Sequence, residues 1–178
     1  GTRGGVVKRS ATGEWKNWNI TSGLVSNDVT SIARDRDGNI WVGTQYGISV
    51  YDGTKWTSYT TILPSTAVRA VFTDSYGAVW VGTSNGAMEF NGQAKTKFGT
   101  YDGLPSPSVN DFTEDYNRVL WVATDAGVAW FDGTKWVKLA LPAQVEGAPS
   151  VSITSDAVTK SLWVGTTNGL VRYRPAAK

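Results

Sequence analysis

Short runs of β-branched and aromatic residues alternate along the chain with polar turns rich in Gly, Asn and Asp. The clearest run, Ile40–Thr44, reads Ile-Trp-Val-Gly-Thr, and close copies of it surround three further tryptophans. The four tryptophans, Trp41, Trp80, Trp121 and Trp163, are 39, 41 and 42 residues apart. A period of about 40 residues is typical of repeat architectures, so the repeat governs the interpretation of every local feature.

One repeat contains four short runs of strand character, named a to d in chain order. We predict strand a at Val29–Asp35, strand b at Ile40–Thr44, strand c at Ile48–Tyr51 and strand d at Lys55–Tyr59. Asp-Gly and Asn-Gly pairs between the runs are typical of hairpin turns, and longer Pro-containing links join successive repeats. No segment shows a 3.6-residue period over the length of a helix. The pattern therefore predicts an all-β protein, a β-propeller of four-stranded antiparallel blades with about four blade repeats per chain.

The repeat also sets boundaries within what we expect to be a single propeller domain. The segments are a part-blade at 1–26, repeats at 27–65, 66–106 and 107–148, and a partial repeat at 149–178. Gly1-Thr2 aligns with the Gly-Thr of the repeated motif, which indicates that the sequence starts partway through a repeat. The last repeat supplies strands a, b and c, and Glu14–Asn19 is a d-type strand. Three arrangements remain open: ring closure by terminal strands within one chain, a closed homodimer, or an excised or engineered fragment that self-associates.

Charge and composition narrow the classes of function. The 17 basic and 15 acidic residues are scattered, without the basic run of a nucleic-acid or membrane-surface site. The chain has no Cys and no His, which excludes disulfides, thiolate nucleophiles, Cys/His zinc sites and imidazole acid–base chemistry. No apolar run reaches the length of a membrane span. We therefore expect no catalytic residues, no cofactor, no metal, no nucleic-acid partner and no membrane contact by this chain.

An aspartate recurs at the end of strand a. Asp35, Asp74 and Asp115 each precede the repeat tryptophan by six residues, whereas Asp156 precedes it by seven. A carboxylate that caps the turn between strands a and b explains this spacing, and a functional ring of carboxylates is the alternative. The segment 35–39 also resembles part of a calcium loop, but it lacks the EF-hand spacing and the terminal Glu. The turn interpretation is preferred.

Aromatic residues of strand d have two interpretations. Trp15, Trp18, Trp56 and Trp136 have flat indole faces that suit sugar rings. Because they recur at the same place in each repeat, a structural role is favoured. The strand b tryptophans are likewise interpreted as packing between neighbouring blades.

Four further aromatic residues are candidates for ligand binding. Trp130 occupies a position of strand c where other repeats have Val or Glu, so repeat packing does not require it. Tyr46, Tyr76 and Tyr116 lie in predicted loops. Exposed aromatic side chains are enriched at binding surfaces, so these four residues are the predicted ligand-binding set.

The segment from Asn27 to Ile48 resembles the two-component regulator propeller repeat. That repeat has an Asn before strand a and then Asp-x-x-Gly-x-Ile-Trp-Val-Gly-Thr-x-x-Gly-Leu. The family occurs above all in extracytoplasmic sensor regions of bacterial hybrid histidine kinases. The resemblance implies a periplasmic or extracellular location, and a non-catalytic sensor or interaction module for a glycan or another small molecule. A structural module that self-associates, as a dimer for example, is the alternative.

The chain differs from that family in scale. Family propellers typically have about seven blades, whereas this sequence has four tryptophan motifs.

Streptogramin-lyase-type propellers are similar in repeat character, and that similarity would imply an enzyme. Those lyases rely on His for acid–base catalysis, which this chain does not contain. Binding is expected at the loop surfaces and at the channel mouth lined by strands a.

Overall fold

The computed structural model describes residues 1–176, and most of them lie in short β-strands and tight turns. The strands are β1 (Val6–Arg9), β2 (Trp15–Trp18), β3 (Val29–Arg34), β4 (Ile40–Thr44), β5 (Gly47–Tyr51), β6 (Trp56–Tyr59), β7 (Val68–Thr73), β8 (Val79–Thr83), β9 (Gly86–Asn91), β10 (Ala94–Phe98), β11 (Val109–Glu114), β12 (Leu120–Thr124), β13 (Gly127–Phe131), β14 (Trp136–Lys138), β15 (Ser150–Asp156), β16 (Ser161–Thr166) and β17 (Gly169–Tyr173). Two 3₁₀ turns, Ile20–Ser22 and Thr100–Asp102, are the helical elements of the described residues.

The strands form five antiparallel sheets in chain order. Strands β3–β6, β7–β10 and β11–β14 make four-stranded sheets, here called blades 1, 2 and 3. Strands β1 and β2 form the N-terminal hairpin, and β15–β17 form the three-stranded C-terminal sheet. Each predicted segment of the sequence contains one of these sheets. The prediction of an all-β fold built from four-stranded antiparallel blades is therefore confirmed.

The innermost strands of neighbouring sheets lie side by side. Thr30 Oγ1 donates to the carbonyl of Val68 at 2.8 Å, and the amide of Val71 donates to Ser31 Oγ at 3.0 Å. Between blade 3 and the C-terminal sheet, the amide of Ile153 donates to a carboxylate oxygen of Asp111 at 2.9 Å. Side chains thus replace the backbone ladder where one blade meets the next.

Each blade has two packed faces because residues of a strand alternate in direction. In β4, Trp41 and Gly43 form the tryptophan face, which meets the next blade, while Ile40 and Val42 form the valine face, which meets the preceding sheet. Val42 packs with Trp18 of the N-terminal hairpin. Trp41 packs with the valine face of blade 2. The core is therefore a series of clusters, one between each pair of successive sheets.

The Gly-Thr pair that ends strand b has two physical roles. A Cβ atom at Gly43 would lie 2.6 Å from Val68 Cγ1, so only glycine permits this spacing between blades 1 and 2. Thr44 Oγ1 donates to the carbonyl of Gly47 at 2.8 Å and closes the turn into strand c. Thr2 makes the equivalent bond to Gly5 at 3.0 Å, so the first two residues have the geometry of a strand b end.

The terminal sheets are open on one side. Among the described residues, β2 pairs with β1 alone and β17 pairs with β16 alone, so the terminal strands do not complete a common blade within the chain. Neither 3₁₀ turn of the described part has the length and apolar character that a bilayer-crossing helix needs.

Candidate ligand-binding cleft

The aspartate after strand a organises the turn that follows it. In blade 2, Asp74 Oδ1 accepts hydrogen bonds from the amides of Tyr76 and Ala78, both at 2.9 Å. The second oxygen, Oδ2, accepts from the indole Nε1 of Trp80 at 2.9 Å. Both oxygens of this carboxylate are thus engaged by the protein itself. The bond to the indole was not predicted from the sequence, although the constant six-residue spacing was its signal.

The aspartate–tryptophan bond recurs in blade 1 between Asp35 and Trp41 (2.8 Å) and in blade 3 between Asp115 and Trp121 (3.0 Å). Burial alone would raise the pKa of Asp35, but the bonds from Trp41 and Asn39 outweigh it and lower the pKa below its usual value. Asp156 stands one residue further from its tryptophan, and its carboxylate instead accepts from Val158 and Thr159. The turn of the C-terminal sheet therefore differs from the other three.

Behind these turns, a cleft separates each blade from the next sheet. The cleft between blades 1 and 2 has a volume of about 280 Å³, and that between blade 3 and the C-terminal sheet about 240 Å³. The cleft between blades 2 and 3 is the most spacious of the three, at about 480 Å³. We call it the central cleft, and its lining includes Tyr76, Glu89, Asn117, Arg118 and Phe131.

The residue opposite the repeat tryptophan differs from one cleft to the next. On strand c, Trp130 lies opposite Trp121 in blade 3, and its large indole lines the narrow third cleft. In blade 2 the same position is Glu89, opposite Trp80. Glu89 therefore places a titratable group in the wall of the central cleft.

Three polar groups give the central cleft its chemistry. Glu89 is half-buried, and this burial raises the pKa of its carboxyl group, with a further contribution from the charge of Asp74. Asn91 donates to Glu89 Oε1 at 3.2 Å and acts in the opposite direction. The Arg118 guanidinium has no hydrogen bond or ion pair with other described residues, and Tyr76 is 68% exposed. The cleft thus offers an acceptor, a fork of donors and an aromatic ring.

We expect Glu89→Gln to raise the melting temperature at neutral pH. The raised pKa means that the folded state prefers the protonated acid, so Glu89 destabilises the fold once pH exceeds its folded pKa. The difference between variant and parent should be largest near about pH 7 and should vanish below the usual value of 4.5. Thermal melts across this range measure it, with the exposed Glu146→Gln as control. A difference that grows towards acid pH would contradict this assignment.

The predicted ligand-binding residues do not converge on one site. Tyr76 lines the central cleft, and Trp130 is half-buried against the cluster between blade 3 and the C-terminal sheet. The Tyr116 hydroxyl donates to the carbonyl of Pro175 at 3.1 Å, and Lys160 Nζ lies 5.3 Å from its ring centroid. Tyr46 is 66% exposed in the turn between strands b and c, at the opposite end of the strands.

Sequence reasoning missed Glu89 and Arg118 as candidates for binding. Their signals were present: Glu89 is a charged residue where the other blades have Val50 or Trp130, and Arg118 replaces a turn glycine. Arg118 accordingly has a left-handed backbone, with φ of 61°.

The strand d tryptophans have unequal surroundings. Trp18 and Trp136 are buried and Trp56 is half-buried, whereas Trp15 is 70% exposed.

In the part of the chain that the structure describes, no group of His, Cys, Asp and Glu side chains could hold a metal ion.

The series of four-stranded sheets with clefts between them defines this chain as a propeller-type repeat protein. Residues 23–46, 62–85 and 103–126 match the family model described as two component regulator propeller. Three repeats of this chain therefore match the family's model, and the resemblance noted in the sequence is confirmed. The matched segments cover the end of the preceding link, strand a, strand b and the turn after it.

Solved structures show the same fold. The extracellular domain of a putative hybrid two-component system from B. thetaiotaomicron is 22% identical, with a TM-score of 0.83 over 97% of this chain and 25% of that one. A second such domain from the same bacterium is 20% identical, with a TM-score of 0.79 over 99% and 25%. Virginiamycin B lyase from Staphylococcus aureus is 14% identical, with a TM-score of 0.74 over 98% and 64%.

The chain therefore spans about a quarter of the length of the two extracellular domains. No curated protein sequence matches it.

Proposed function

We propose that this chain is a non-catalytic ligand-binding part of a bacterial extracytoplasmic sensor, and that the central cleft binds a small hydroxylated ligand such as a glycan fragment. The observation that carries the proposal is the wide cleft between blades 2 and 3, where Tyr76, Glu89 and Arg118 surround about 480 Å³ of open space. Binding sites for small molecules are commonly concave, with a few polar groups that fix the ligand's orientation.

The lining suits a polyol better than an apolar ligand. A carboxylate accepts hydrogen bonds from hydroxyl groups, and a guanidinium donates to hydroxyl or ring oxygens. The exposed ring of Tyr76 and the half-buried ring of Phe131 offer flat apolar surfaces of the kind that pack against the C–H faces of a pyranose. A wholly apolar ligand would offer no hydrogen bond to the half-buried Glu89 carboxylate, whose hydrogen bond within the protein comes from Asn91, or to the Arg118 guanidinium.

A binding role is favoured over catalysis by the chemistry of the available side chains. The chain has no histidine, and the turn carboxylates are engaged by backbone amides and indoles. A variant of virginiamycin B lyase in which a histidine is replaced by alanine is described as catalytically inactive. This chain has no histidine to take the place of that residue, so similarity to the lyase fold does not favour an enzyme.

The extracytoplasmic location is proposed from the location of similar solved structures. Two structural neighbours are extracellular domains of two-component systems, and the family model carries the same association. Because the chain spans about a quarter of such a domain, transmission of a signal would require other parts of a receptor.

A titration with glycan fragments tests the proposal. We expect a saturable change in tryptophan fluorescence, since Trp80 lines the cleft, and a rise in melting temperature with ligand concentration. Glu89→Gln and Arg118→Gln should each weaken binding by roughly tenfold, because each removes a charged hydrogen-bonding group. Lys95→Gln, which alters the cleft between blades 1 and 2, is the matched control and should leave the affinity unchanged.

Binding that is equally strong in all three variants would place the ligand outside the central cleft. No response to any glycan fragment at millimolar concentration would remove the support for a glycan-binding function.

A further inference from the structure

A carboxylate of blade 3 holds the turn of blade 2 that carries Tyr76. Glu114 is the last residue of strand β11, and its Oε2 atom accepts a hydrogen bond from the backbone amide of Ser75 at 2.8 Å. The Ser75 hydroxyl donates to the other carboxylate oxygen, Oε1. Hydrogen bonds to an ionised acceptor are stronger than those between neutral groups. We call this pair of bonds between the two blades the Glu114–Ser75 bridge.

The bridge lies between two walls of the central cleft. Glu114 lines the cleft together with Tyr76 and Arg118. Tyr76 follows Ser75 directly in the turn of blade 2, and Arg118 lies in the turn of blade 3 that begins just after Glu114. The neighbouring carboxylate of Asp115 accepts two amides of that second turn, at 2.8 Å and 3.0 Å. The bridge therefore joins the turn that supplies the aromatic ring to the turn that supplies the guanidinium.

Only one of the bonded amides in the blade 2 turn reaches another blade. The amides of Tyr76 and Ala78 donate to Asp74, which belongs to the same turn, whereas the amide of Ser75 donates to Glu114 of blade 3. Without Glu114, the turn would keep its internal bonds but would be free to move relative to blade 3. The position of Tyr76 across the cleft therefore depends on the bridge.

The repeat fold does not itself require such a bridge. The other two clefts have different residues at these two positions, which are Arg36 with Thr73 and Tyr116 with Ser155. Neither pair contains a carboxylate. The hydroxyl of Thr73, at the position equivalent to Glu114, is buried without a hydrogen-bond partner. Because blades 1 and 2 pack together without this contact, the bridge is a local feature of the central cleft.

We propose that Glu114 is a positioning residue of the central cleft, which fixes Tyr76 at one distance from Arg118 so that a ligand enters a preformed site. This inference rests on the proposed binding role of the cleft. A site that is already ordered loses less conformational freedom when its ligand binds, and its affinity is correspondingly higher. Both carboxylate oxygens of Glu114 are engaged by Ser75, so Glu114 acts through the turn.

Hydrogen exchange at the Ser75 amide tests the bridge without any ligand. We expect Glu114→Ala to accelerate this exchange by about tenfold, because the acceptor that protects the amide is lost. The NMR order parameter of the Tyr76 amide should fall below the value of about 0.85 that is typical of rigid backbone. Unchanged exchange at Ser75 together with an unchanged order parameter at Tyr76 would overturn the positioning role.

Glu114→Gln is the conservative variant, and it should behave like the parent in both measurements. Its side-chain oxygen can accept the Ser75 amide, and its NH₂ group can donate to the Ser75 hydroxyl. Ser75→Ala keeps the amide bond and loses the hydroxyl bond, so an intermediate acceleration is expected. Thr73→Ala removes a hydroxyl group that has no partner and is the matched control, with no change expected at Ser75. Thermal melts verify that each variant is folded.

Calorimetric titration with cellobiose, a hydroxylated disaccharide, connects the bridge to binding. We expect Glu114→Ala to weaken the affinity by about tenfold and Glu114→Gln and Thr73→Ala to retain it. Equal affinity in the parent and Glu114→Ala would overturn the inference. A loss in Glu114→Gln as large as that in Glu114→Ala would also overturn it, because it would mean that the charge itself contacts the ligand. If cellobiose did not bind the parent, the proposed function would lose support, while exchange and relaxation would still decide whether Glu114 positions Tyr76.

Discussion

Replacement of Trp80 by alanine should lower the free energy of unfolding by about 3–5 kcal/mol. Trp80 is 2% exposed and lies at the centre of the cluster between blades 2 and 3. Its ring is within contact of four aromatic neighbours, which are Phe98, Phe112, Phe131 and Trp136. Truncation would leave a cavity among rigid rings and would remove the indole donor from the carboxylate of Asp74.

The matched control is Trp163→Ala, which changes the same motif in the C-terminal sheet. Trp163 is half-buried, no following blade among the described residues covers its tryptophan face, and the Arg172 guanidinium lies 5.4 Å from its ring centroid. Chemical denaturation should show a clearly smaller loss of stability than for Trp80→Ala. A loss below about 1 kcal/mol for Trp80→Ala would mean that this residue is not part of the core.

The contrast between Trp80 and Trp163 shows that the sequence predicts the strand but not the burial of its tryptophan. Both residues stand in nearly identical motifs, Val-Trp-Val-Gly-Thr and Leu-Trp-Val-Gly-Thr, and both lie on strand b as predicted. Strand formation depends on local composition and alternation, which the sequence displays directly. Burial depends on whether another blade follows, and that is a property of the whole array. The motif therefore predicts the strand well and its environment poorly.

The role of the turn aspartates could be predicted only in part from the sequence. The six-residue spacing of Asp74 and Trp80 predicted a capped turn, and Asp74 does accept two turn amides. Its bond to the indole depends on the twist of the hairpin, which brings residues of two strands together. Asp156 was distinguishable from the start by its seven-residue spacing. The structure adds the consequence, since the carboxylate of Asp156 bonds to its own turn.

The central cleft was the least predictable feature. Tyr76 was predicted as a loop aromatic, because a tyrosine beside turn residues is visible in the sequence. Glu89 and Arg118 belong to different blades, and only the packing of blade 2 on blade 3 places both along one cleft. A single sequence contains no information on how widely two neighbouring blades separate at their outer ends.

Replacement of Gly82 by alanine should destabilise the fold by about 1–3 kcal/mol, the usual cost of overpacking. The added Cβ atom would lie 2.5 Å from Val109 Cγ1 and 3.0 Å from a ring carbon of Phe112. Both neighbours belong to the inner strand of blade 3 and are buried, so neither can move without separating the blades. The backbone of Gly82 has no positive φ angle, which means that the expected loss is purely steric.

Gly165→Ala separates that steric cost from the intrinsic effect of an added methyl group. Gly165 has the same place in the motif, but its Cβ position has no neighbour closer than 3.9 Å. The free energy of unfolding of this variant should match that of the parent within about 0.5 kcal/mol, as is usual at an accessible site. If Gly82→Ala were equally well tolerated, the glycine of the repeat would not set the distance between blades 2 and 3. Chemical denaturation of the two variants side by side decides between these outcomes, because among the described residues a following blade packs against Gly82 and none packs against Gly165.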